Sequence, residues 1–381
     1  MPEANSHSVC IVAHNAYRAL SGVGSGHIGG VERQTRVIAH WLAKNGYRVS
    51  VITWDEGGEK EEIIDKIRVI KLCRQEDGLP ILRFFYPRWT SLVTAMSKAD
   101  SDIYLHNCGE SITGQIAIWC KLRSKKFLFS LASNMDCDPD LPDLGSVRER
   151  VLYRLGIRLA DAVVAQSNFQ KLSLKNYFQV NSDVLPMPCE DRSGGFLEIE
   201  KDTHCSSDEF VVGWVGRIVP LKKLELFIDA AEQLSNIKFL VAGSANKNDI
   251  YVRGLLNRME AAENIEYLGS VPFEEMQDFY NNIDCLSSTS SVEGFPNTYL
   301  EAWSFGLPVL GIFDPDDLIR KKQLGIKISG CKDLVQAITN LSKDSTLYRE
   351  LSQNSRRYYE IHHLPKNSVG KLAQVIKKIL S

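Results

Sequence analysis

The sequence predicts an α/β protein built from two doubly wound parallel sheets. Three observations support this fold class. Short runs of β-branched residues alternate with stretches of helical periodicity, and the alternation stops at a polar stretch and then restarts. The chain has 381 residues, which is more than one hydrophobic core ordinarily holds. Alternating strands and helices favour parallel sheets, because each helix returns the chain to the edge where the previous strand began.

The first half of the chain carries six apolar runs that are typical of buried strands. They span 9–13, 49–53, 67–72, 102–106, 126–132 and 162–167. Helical periodicity predicts helices over 31–46, 112–124 and 146–160. The first of these ends at Asn45-Gly46, a common stop signal. We therefore expect an N-terminal domain over residues 1–190.

A polar, irregular stretch follows, and the pattern then restarts. Residues 191–208 are predicted to form a linker, and residues 209–365 a second domain. Its strands are predicted at 210–216, 237–243, 265–269, 284–288 and 307–313. Its helices are predicted at 222–235, 250–263, 273–282 and 298–305.

The composition argues against several classes of protein. A net charge of −2 provides no general attraction for nucleic acid. Nine cysteines, an odd number without a C-x-x-C pair, favour free thiols in a reducing compartment over a disulfide framework or a zinc site. The start of the chain lacks the pattern of a signal peptide, and no stretch reaches the apolar length of a membrane span. We expect a cytoplasmic protein.

Gly24, Gly26 and Gly29 match the G-x-G-x-x-G pattern of dinucleotide-binding oxidoreductases. That pattern requires a turn directly after the first strand, whereas Gly24 lies about ten residues beyond it. Two other interpretations stay open. The glycines form a loop without a ligand, or Gly29 and Gly30 bring bare backbone to a charged group at the start of the following helix.

Two cations follow the first strand of the second domain. Gly216-Arg217 stands at the strand end, and Lys222 stands at the start of the predicted helix. The fork of an arginine and the point charge of a lysine suit a diphosphate. The alternative is a solvated pair of surface side chains.

Two glutamates, Glu293 and Glu301, are separated by seven residues around the string "GFPNTYL". Gly294 and Pro296 place Glu293 in a loop, and Thr298 begins a predicted helix with Glu301 in its first turn. Thr298-x-x-Glu301 also matches a capping box, in which Glu301 bonds back to the backbone of Thr298. A ligand role and a capping role for Glu301 both remain open at this point.

The combination of G-R-x4-K and E-G-F-x5-E resembles the group 1 (family 4) retaining glycosyltransferases. The resemblance extends over essentially the whole chain. It implies the GT-B fold, with two Rossmann-like domains that face a cleft. It also implies that the final amphipathic helix, residues 366–381, packs back on the N-terminal domain.

The resemblance implies roles for individual residues. Arg217 and Lys222 should bind the diphosphate of a nucleotide-sugar donor, Glu301 the ribose hydroxyls, and Glu293 the transferred sugar. The other donor-site residues that it implies are Gly216, Gly294, Phe295, Pro296, Asn297 and Thr298. Gly29 and Gly30 should approach the phosphate or the acceptor from the N-terminal domain.

The sequence departs from the family pattern at several positions. Many relatives have a histidine after the fifth strand, where this chain has Ser133, or Ala132 if the register shifts by one residue. Asn134 and Asp136 are nearby polar substitutes that would contact acceptor or sugar, and a polar loop without a ligand is the alternative. His106 either faces the site or is a structural histidine. Lys223 stands where the family usually has glycine.

The resemblance implies a retaining, metal-independent glycosyltransferase of the hexosyltransferase type, active in bacterial-type polysaccharide biosynthesis. Its nucleotide-sugar donor is a co-substrate, so no cofactor is expected, and its acceptor is a saccharide or a lipid-linked saccharide. Because the histidine is missing, a non-catalytic sugar-nucleotide-binding protein is the alternative. The acids at 138–140 and 314–317 lie in predicted loops, so no metal site is expected.

Residues 79–98 combine aromatic residues with Arg83 and Arg88. This segment predicts peripheral association with the inner face of a membrane. A core-facing helix with solvated arginines is the alternative. The sequence makes no prediction of oligomeric state.

Overall fold

The computed structural model describes residues 7–22, 28–80, 82–194 and 210–381. Gly24, Gly26 and residues 195–208 of the expected linker lie outside the described residues. The chain divides into two compact units. Unit 1 comprises Met1–Pro188 and Pro365–Ser381, and unit 2 comprises Cys189–Leu364.

The sheet of unit 1 contains the six predicted strands and two that the sequence analysis missed. Its strands are β1 Ser8–Val12, β2 Arg48–Thr53, β3 Glu61–Ile64, β4 Ile67–Lys71, β5 Ile103–Asn107, β6 Lys126–Ser130, β7 Ala162–Ala165 and β8 Asp183–Val184. The strand order is β3-β4-β2-β1-β5-β6-β7-β8. Strand β3 runs antiparallel to β4 at the sheet edge, whereas the other neighbours are parallel.

Six helices of unit 1 lie between its strands. They are α1 Tyr17–Ser21, α2 Gly30–Lys44, α3 Thr90–Ala99, α4 Ile112–Leu122, α5 Val147–Leu159 and α6 Asn168–Ser173. Helix α5 begins at a capping box, in which Ser146 and Glu149 exchange hydrogen bonds with each other's backbone. An irregular turn, Phe84–Trp89, precedes α3.

Unit 2 contains one parallel sheet. Its strands are β9 Val211–Val215, β10 Lys238–Ala242, β11 Ile265–Gly269, β12 Cys285–Ser288, β13 Val309–Gly311 and β14 Gly325–Lys327, in the order β11-β10-β9-β12-β13-β14. Its helices are α7 Leu224–Ala231, α8 Ile250–Ala261, α9 Met276–Asn281, α10 Asn297–Ser304, α11 Leu318–Lys321, α12 Cys331–Lys343 and α13 Ser345–His362. Strand β14 was not predicted, because its three residues are too short for a periodic signal.

The predicted helix over 222–235 is wrong at its start. Pro220–Lys222 forms a 3-10 turn, and α7 begins only at Leu224. Lys223 lies between them in the left-handed region, with φ 48° and ψ 47°. A residue in that conformation breaks the helical hydrogen-bond ladder, so Lys222 is held in a turn rather than on a helix.

The last helix, α14 Pro365–Leu380, belongs to unit 1. Its apolar face buries Val369, Leu372 and Ile376 in the same cluster as Ile38 and Leu42 of α2. Burial of an apolar stripe along an amphipathic helix accounts for this packing. No helix within the described residues is both long and apolar enough to cross a bilayer.

Residues 189–194 pack with unit 2. The guanidinium of Arg356 on α13 forms an ion pair with Asp191 at 2.7 Å, and the Arg356 side chain is only 9% exposed. The hydroxyl of Tyr359 also donates to the backbone oxygen of Cys189 at 2.9 Å. These contacts fix the start of the expected linker to the second unit.

Candidate active site

The predicted catalytic segments of unit 2 follow two strands that are neighbours in its sheet. Gly216 and Arg217 come directly after β9, and the loop that carries Glu293 follows β12. Strands β9 and β12 pair in parallel. Their carboxyl ends therefore lie at the same sheet edge, which is where parallel sheets bind ligands.

Lys222 and Glu293 are in direct contact. The Nζ of Lys222 donates to the Oε1 of Glu293, and their side chains are 25% and 18% exposed. The 3-10 turn before α7 and the loop after β12 thus bring a predicted cation and a predicted carboxylate into one ion pair. Partial burial makes the pairing stronger than that of a solvated surface pair.

Thr289 links the two segments that carry this pair. Its hydroxyl donates to the backbone oxygen of Lys222 at 2.6 Å and accepts from the indole N–H of Trp214 at 3.1 Å. Thr289 is 1% exposed, and Trp214 lies within β9 at 2% exposure. Thr289 was not predicted from the sequence, although the string "SSTSS" at the end of β12 signals polar side chains there.

Glu301 does not form the capping box considered above. Helix α10 begins at Asn297 after Pro296, so Thr298 already lies inside the helix and cannot cap it. The Oε2 of Glu301 instead accepts a hydrogen bond from the hydroxyl of Tyr280 at 2.7 Å. The capping interpretation is therefore wrong, and the Glu301 carboxylate is held by a buried tyrosine of α9.

Arg217 is exposed and has no hydrogen bond or ion pair with any residue that the structure describes. The backbone before it is tightly packed. A Cβ added at Gly243 would clash with the backbone oxygen of Gly216, and one added at Gly216 would lie 3.2 Å from the ring of Trp214. This packing fixes the backbone next to Arg217, while the Arg217 guanidinium stays exposed and available to an anion.

The loop before α10 turns one aromatic side chain inward. Phe295 is 7% exposed, and its ring centroid lies 5.6 Å from that of His363 and 6.2 Å from that of Trp303. The ring therefore belongs to the core of unit 2. The role that the resemblance implies for Gly294, Phe295, Pro296 and Asn297 would rest on their backbone.

Gly29 and Gly30 stand at the start of α2 in unit 1. Gly29 is the N-cap, with φ −75° and ψ 177°, and Gly30 is the first helical residue. A Cβ added at Gly29 would clash with the carboxylate of Glu32 in the first turn. A carboxylate near a helix N-terminus stabilises the exposed N–H groups, and an anionic ligand at the same position would compete with it.

Ser133 and Asp136 hold together the loop after β6. Ser133 caps the 3-10 turn Asn134–Cys137, and Asp136 accepts backbone N–H groups of Ala132 at 2.7 Å, Ser133 at 2.9 Å and Gly109 at 3.1 Å. Burial raises the pKa of Asp136 to about 6, while these N–H groups oppose the rise. Asn134 accepts from Gln170 at 3.1 Å. The polar residues in the slot of the family histidine thus bond chiefly within their own loop.

His106 is a structural residue. It lies within β5 at 3% exposure, and its Nδ1 contacts the backbone oxygen of Val12 at 2.8 Å. Burial lowers the pKa of its imidazole. The structural interpretation of His106 is therefore favoured over contact with a ligand.

A pocket of about 460 Å³ opens in unit 1 at the carboxyl ends of its strands. Its lining includes Ser133 and Asp136, together with three residues that the sequence analysis missed: His14, Trp54 and Glu110. The ring of His14 stacks on Trp54 with centroids 4.1 Å apart, and its Nδ1 lies 3.6 Å from Glu110. His14 and Glu110 follow β1 and β5, so their positions after strands were a signal in the sequence. Polar groups around aromatic rings suit a sugar.

Two protein-family models match the chain. The model described as glycosyl transferases group 1 matches residues 196–358, and the model described as glycosyltransferase family 4 matches residues 28–188. Together they account for both units and for every predicted catalytic residue. The chain belongs to the group 1 glycosyltransferases.

Curated relatives of this glycosyltransferase include two glycolipid synthases. It is 25% identical over 155 residues to the alpha-monoglucosyldiacylglycerol synthase of Acholeplasma laidlawii, a match that covers 39% of each chain. It is 24% identical over 271 residues to the alpha-galactosylglucosyldiacylglycerol synthase of Streptococcus pneumoniae, which covers 68% of each chain. The chain thus spans about two fifths of the length of the first relative and about two thirds of the second.

Among solved structures, Anabaena HepE in complex with UDP and glucose is similar over nearly the full length. The TM-score is 0.75 at 17% identity, with 98% of this chain and 100% of that chain covered. The likeness shows the fold. The predicted GT-B fold with two Rossmann-like domains is confirmed.

Proposed function

We propose that this protein is a retaining glycosyltransferase that moves a sugar from a nucleoside-diphosphate sugar to a saccharide or lipid-linked acceptor. The observation that carries the proposal is the arrangement at one sheet edge of unit 2. Arg217 follows β9, the Lys222–Glu293 ion pair joins the turn before α7 to the loop after β12, and Glu301 lies on α10, the helix that follows this loop. The HepE structure was solved with UDP and glucose, which supports a UDP-sugar as the first donor to test.

The chemistry fits these side chains. During transfer, the bond from the anomeric carbon to the diphosphate breaks, a bond from that carbon to an acceptor oxygen forms, and the proton of the acceptor hydroxyl passes to the departing diphosphate. The diphosphate leaves with its electron pair, and Arg217 and Lys222 would stabilise the developing negative charge. Glu293 would lie beside the sugar, where positive charge develops in an oxocarbenium-like transition state. Cationic side chains in these positions can stabilise the leaving diphosphate without a metal ion.

The acceptor is assigned to the pocket of unit 1. Stacked His14 and Trp54 offer an apolar face, and Glu110 offers an acceptor for sugar hydroxyls. The relatives named as glycolipid synthases support a lipid-linked acceptor, in keeping with a role in polysaccharide or glycolipid synthesis.

Peripheral membrane contact is part of the proposal, and its surface is the stretch around the turn Phe84–Trp89. Four apolar side chains there are exposed: Leu79 by 69%, Leu82 by 57%, Phe85 by 54% and Tyr86 by 71%. Sedimentation with anionic vesicles at low salt should carry wild-type protein down and leave F85S in solution. I250S is the matched control, because Ile250 is an exposed apolar residue of unit 2. If wild-type protein stays in solution with the vesicles, the proposed membrane contact is wrong.

A thermal-shift panel tests the proposed donor site. UDP-, GDP-, ADP- and TDP-sugars would each be compared with the bare diphosphate. A ligand that binds only the folded protein increases the free energy of unfolding by mass action, by about 2.7 kcal/mol at a hundredfold excess over Kd. The melting temperature rises as a result. We expect at least one nucleotide sugar to raise it, and R217A to reduce the shift. If no member raises the melting temperature at millimolar concentration, the proposal is wrong.

A further inference from the structure

Tyr280 holds one oxygen of Glu301. Its hydroxyl donates to the Oε2 of Glu301 at 2.7 Å. Tyr280 is 2% exposed, and its ring stacks on Phe305 with centroids 5.3 Å apart and planes 24° apart. Phe279 meets the same ring edge-on at 5.5 Å. A ring packed in this way has one position, so the hydroxyl reaches the carboxylate from a fixed direction.

This contact restrains one oxygen of the Glu301 carboxylate. Glu301 lies on α10 and is partly exposed, and a glutamate carboxylate rotates broadly about its last bond. A hydrogen bond from a buried hydroxyl to a charged carboxylate is stronger than one between neutral groups. The bond from Tyr280 therefore favours orientations of the Glu301 carboxylate in which Oε2 faces the tyrosine before any ligand arrives.

We propose that Tyr280 is a positioning residue that orients Glu301 toward the ribose hydroxyls, and so makes the site prefer ribonucleotide over 2′-deoxyribonucleotide donors. This inference rests on the proposed function, in which Glu301 meets the ribose. A preoriented acceptor contributes more to binding, because less freedom is lost when the ligand arrives. Tyr280 does not touch the ligand itself.

The test is a calorimetric titration with UDP and 2′-deoxy-UDP, with the matching GDP and ADP pairs in parallel. We expect wild-type protein to prefer the ribose form about tenfold, the value of a hydrogen bond to a charged group. Y280F removes only the hydroxyl and keeps the stacked ring. It should reduce the preference to about threefold or less, mostly through weaker binding of the ribose form. E301A should abolish the preference.

Y359F is the matched control. Tyr359 is also a fully buried tyrosine of unit 2, and its hydroxyl donates to the backbone oxygen of Cys189 rather than to Glu301. It should retain the full preference. A merely structural role of Tyr280 would weaken both forms of the nucleotide equally, and that result overturns the inference.

The outcomes separate the inference from the proposed function. If E301A loses the ribose preference while Y280F keeps it, the positioning role is wrong and the donor site stands. If E301A keeps the preference, or if neither the three pairs nor TDP binds wild-type protein, the donor site itself is wrong and the inference falls with it. If TDP, a 2′-deoxyribonucleotide, binds more tightly than UDP, GDP and ADP, the inference is wrong and the donor site stands.

Discussion

Lys222 and Glu293 are 71 residues apart in the sequence and form an ion pair in the structure. Lys222, the proposed ligand of the diphosphate, is already paired with Glu293, the carboxylate proposed to lie beside the transferred sugar. An incoming diphosphate therefore competes with Glu293 for Lys222. Donor binding would weaken this ion pair and so change the position of the carboxylate.

Substitution of the lysine tests the first half of this relationship. K222A removes the charge that faces the diphosphate, so affinity for the nucleotide sugar and for the bare diphosphate should fall about tenfold to a hundredfold, as expected for one charge-assisted contact. Calorimetric titration measures it. K223G is the control, since it removes a neighbouring charge and places glycine in a left-handed conformation that suits it. Equal loss in both variants would contradict a specific role for Lys222.

Substitution of the glutamate should have opposite effects on binding and turnover. E293Q leaves Lys222 without its competing charge, so the bare diphosphate should bind about three- to tenfold more tightly. Transfer should nevertheless slow, because the carboxylate that faces the developing positive charge is lost. A weaker diphosphate affinity in E293Q would mean that Glu293 does not compete for Lys222.

Thr289 should be needed to hold the Lys222 turn in place. T289V removes the donor to the Lys222 carbonyl and the acceptor for the Trp214 indole, which leaves one buried and one partly buried polar group without this partner. The free energy of unfolding should fall by about 1–3 kcal/mol, and diphosphate affinity should fall with it. T289S keeps the hydroxyl and should retain most of both. Wild-type stability and affinity in T289V would show that the link is dispensable.

Asp136 should make the stability of unit 1 depend on pH. Its pKa is about 6 in the folded protein against an unperturbed value of about 3.9 in the unfolded chain. The folded state therefore binds the proton more tightly, and this contribution is complete below pH 4 and lost as pH rises through 6. Relative to D136N, wild-type unfolding free energy should drop by up to about 3 kcal/mol from pH 4 to 7. Urea unfolding at both pH values measures it, and a difference that is constant with pH would contradict the account.

Much of the fold followed from local patterns. Strands such as β1 and β5 are continuous apolar runs, and the strong periodicity of α2 and α5 placed both helices within two residues of their bounds. Helices α11, α12 and α13 were not predicted, because no element was assigned between residues 313 and 366. Other misses were short or positional. Strand β14 has only three residues, and the left-handed Lys223 divides a helix that periodicity alone would continue.

The site was predictable where the chemistry lies in a motif. Arg217, Lys222, Glu293 and Glu301 are predicted from motifs, and the structure brings Lys222 and Glu293 into contact. Thr289 and Tyr280 were not, because their importance comes from contacts across the sheet edge rather than from spacing. The predicted capping box of Glu301 is wrong for a related reason: the helix starts two residues earlier than a Thr298 cap requires, so Thr298 lies in its first turn.

The central claim is that this site transfers sugar, and nucleoside-diphosphate release measures it most directly. Purified protein would be incubated with the nucleotide sugar selected by the thermal-shift panel, with and without oligosaccharide and glycolipid acceptors. We predict that wild-type protein releases the diphosphate and moves an equal amount of sugar to acceptor or water, and that K222A does so about a hundredfold more slowly. Donor binding by wild-type protein without any release of diphosphate would contradict the account and identify a non-catalytic binding protein.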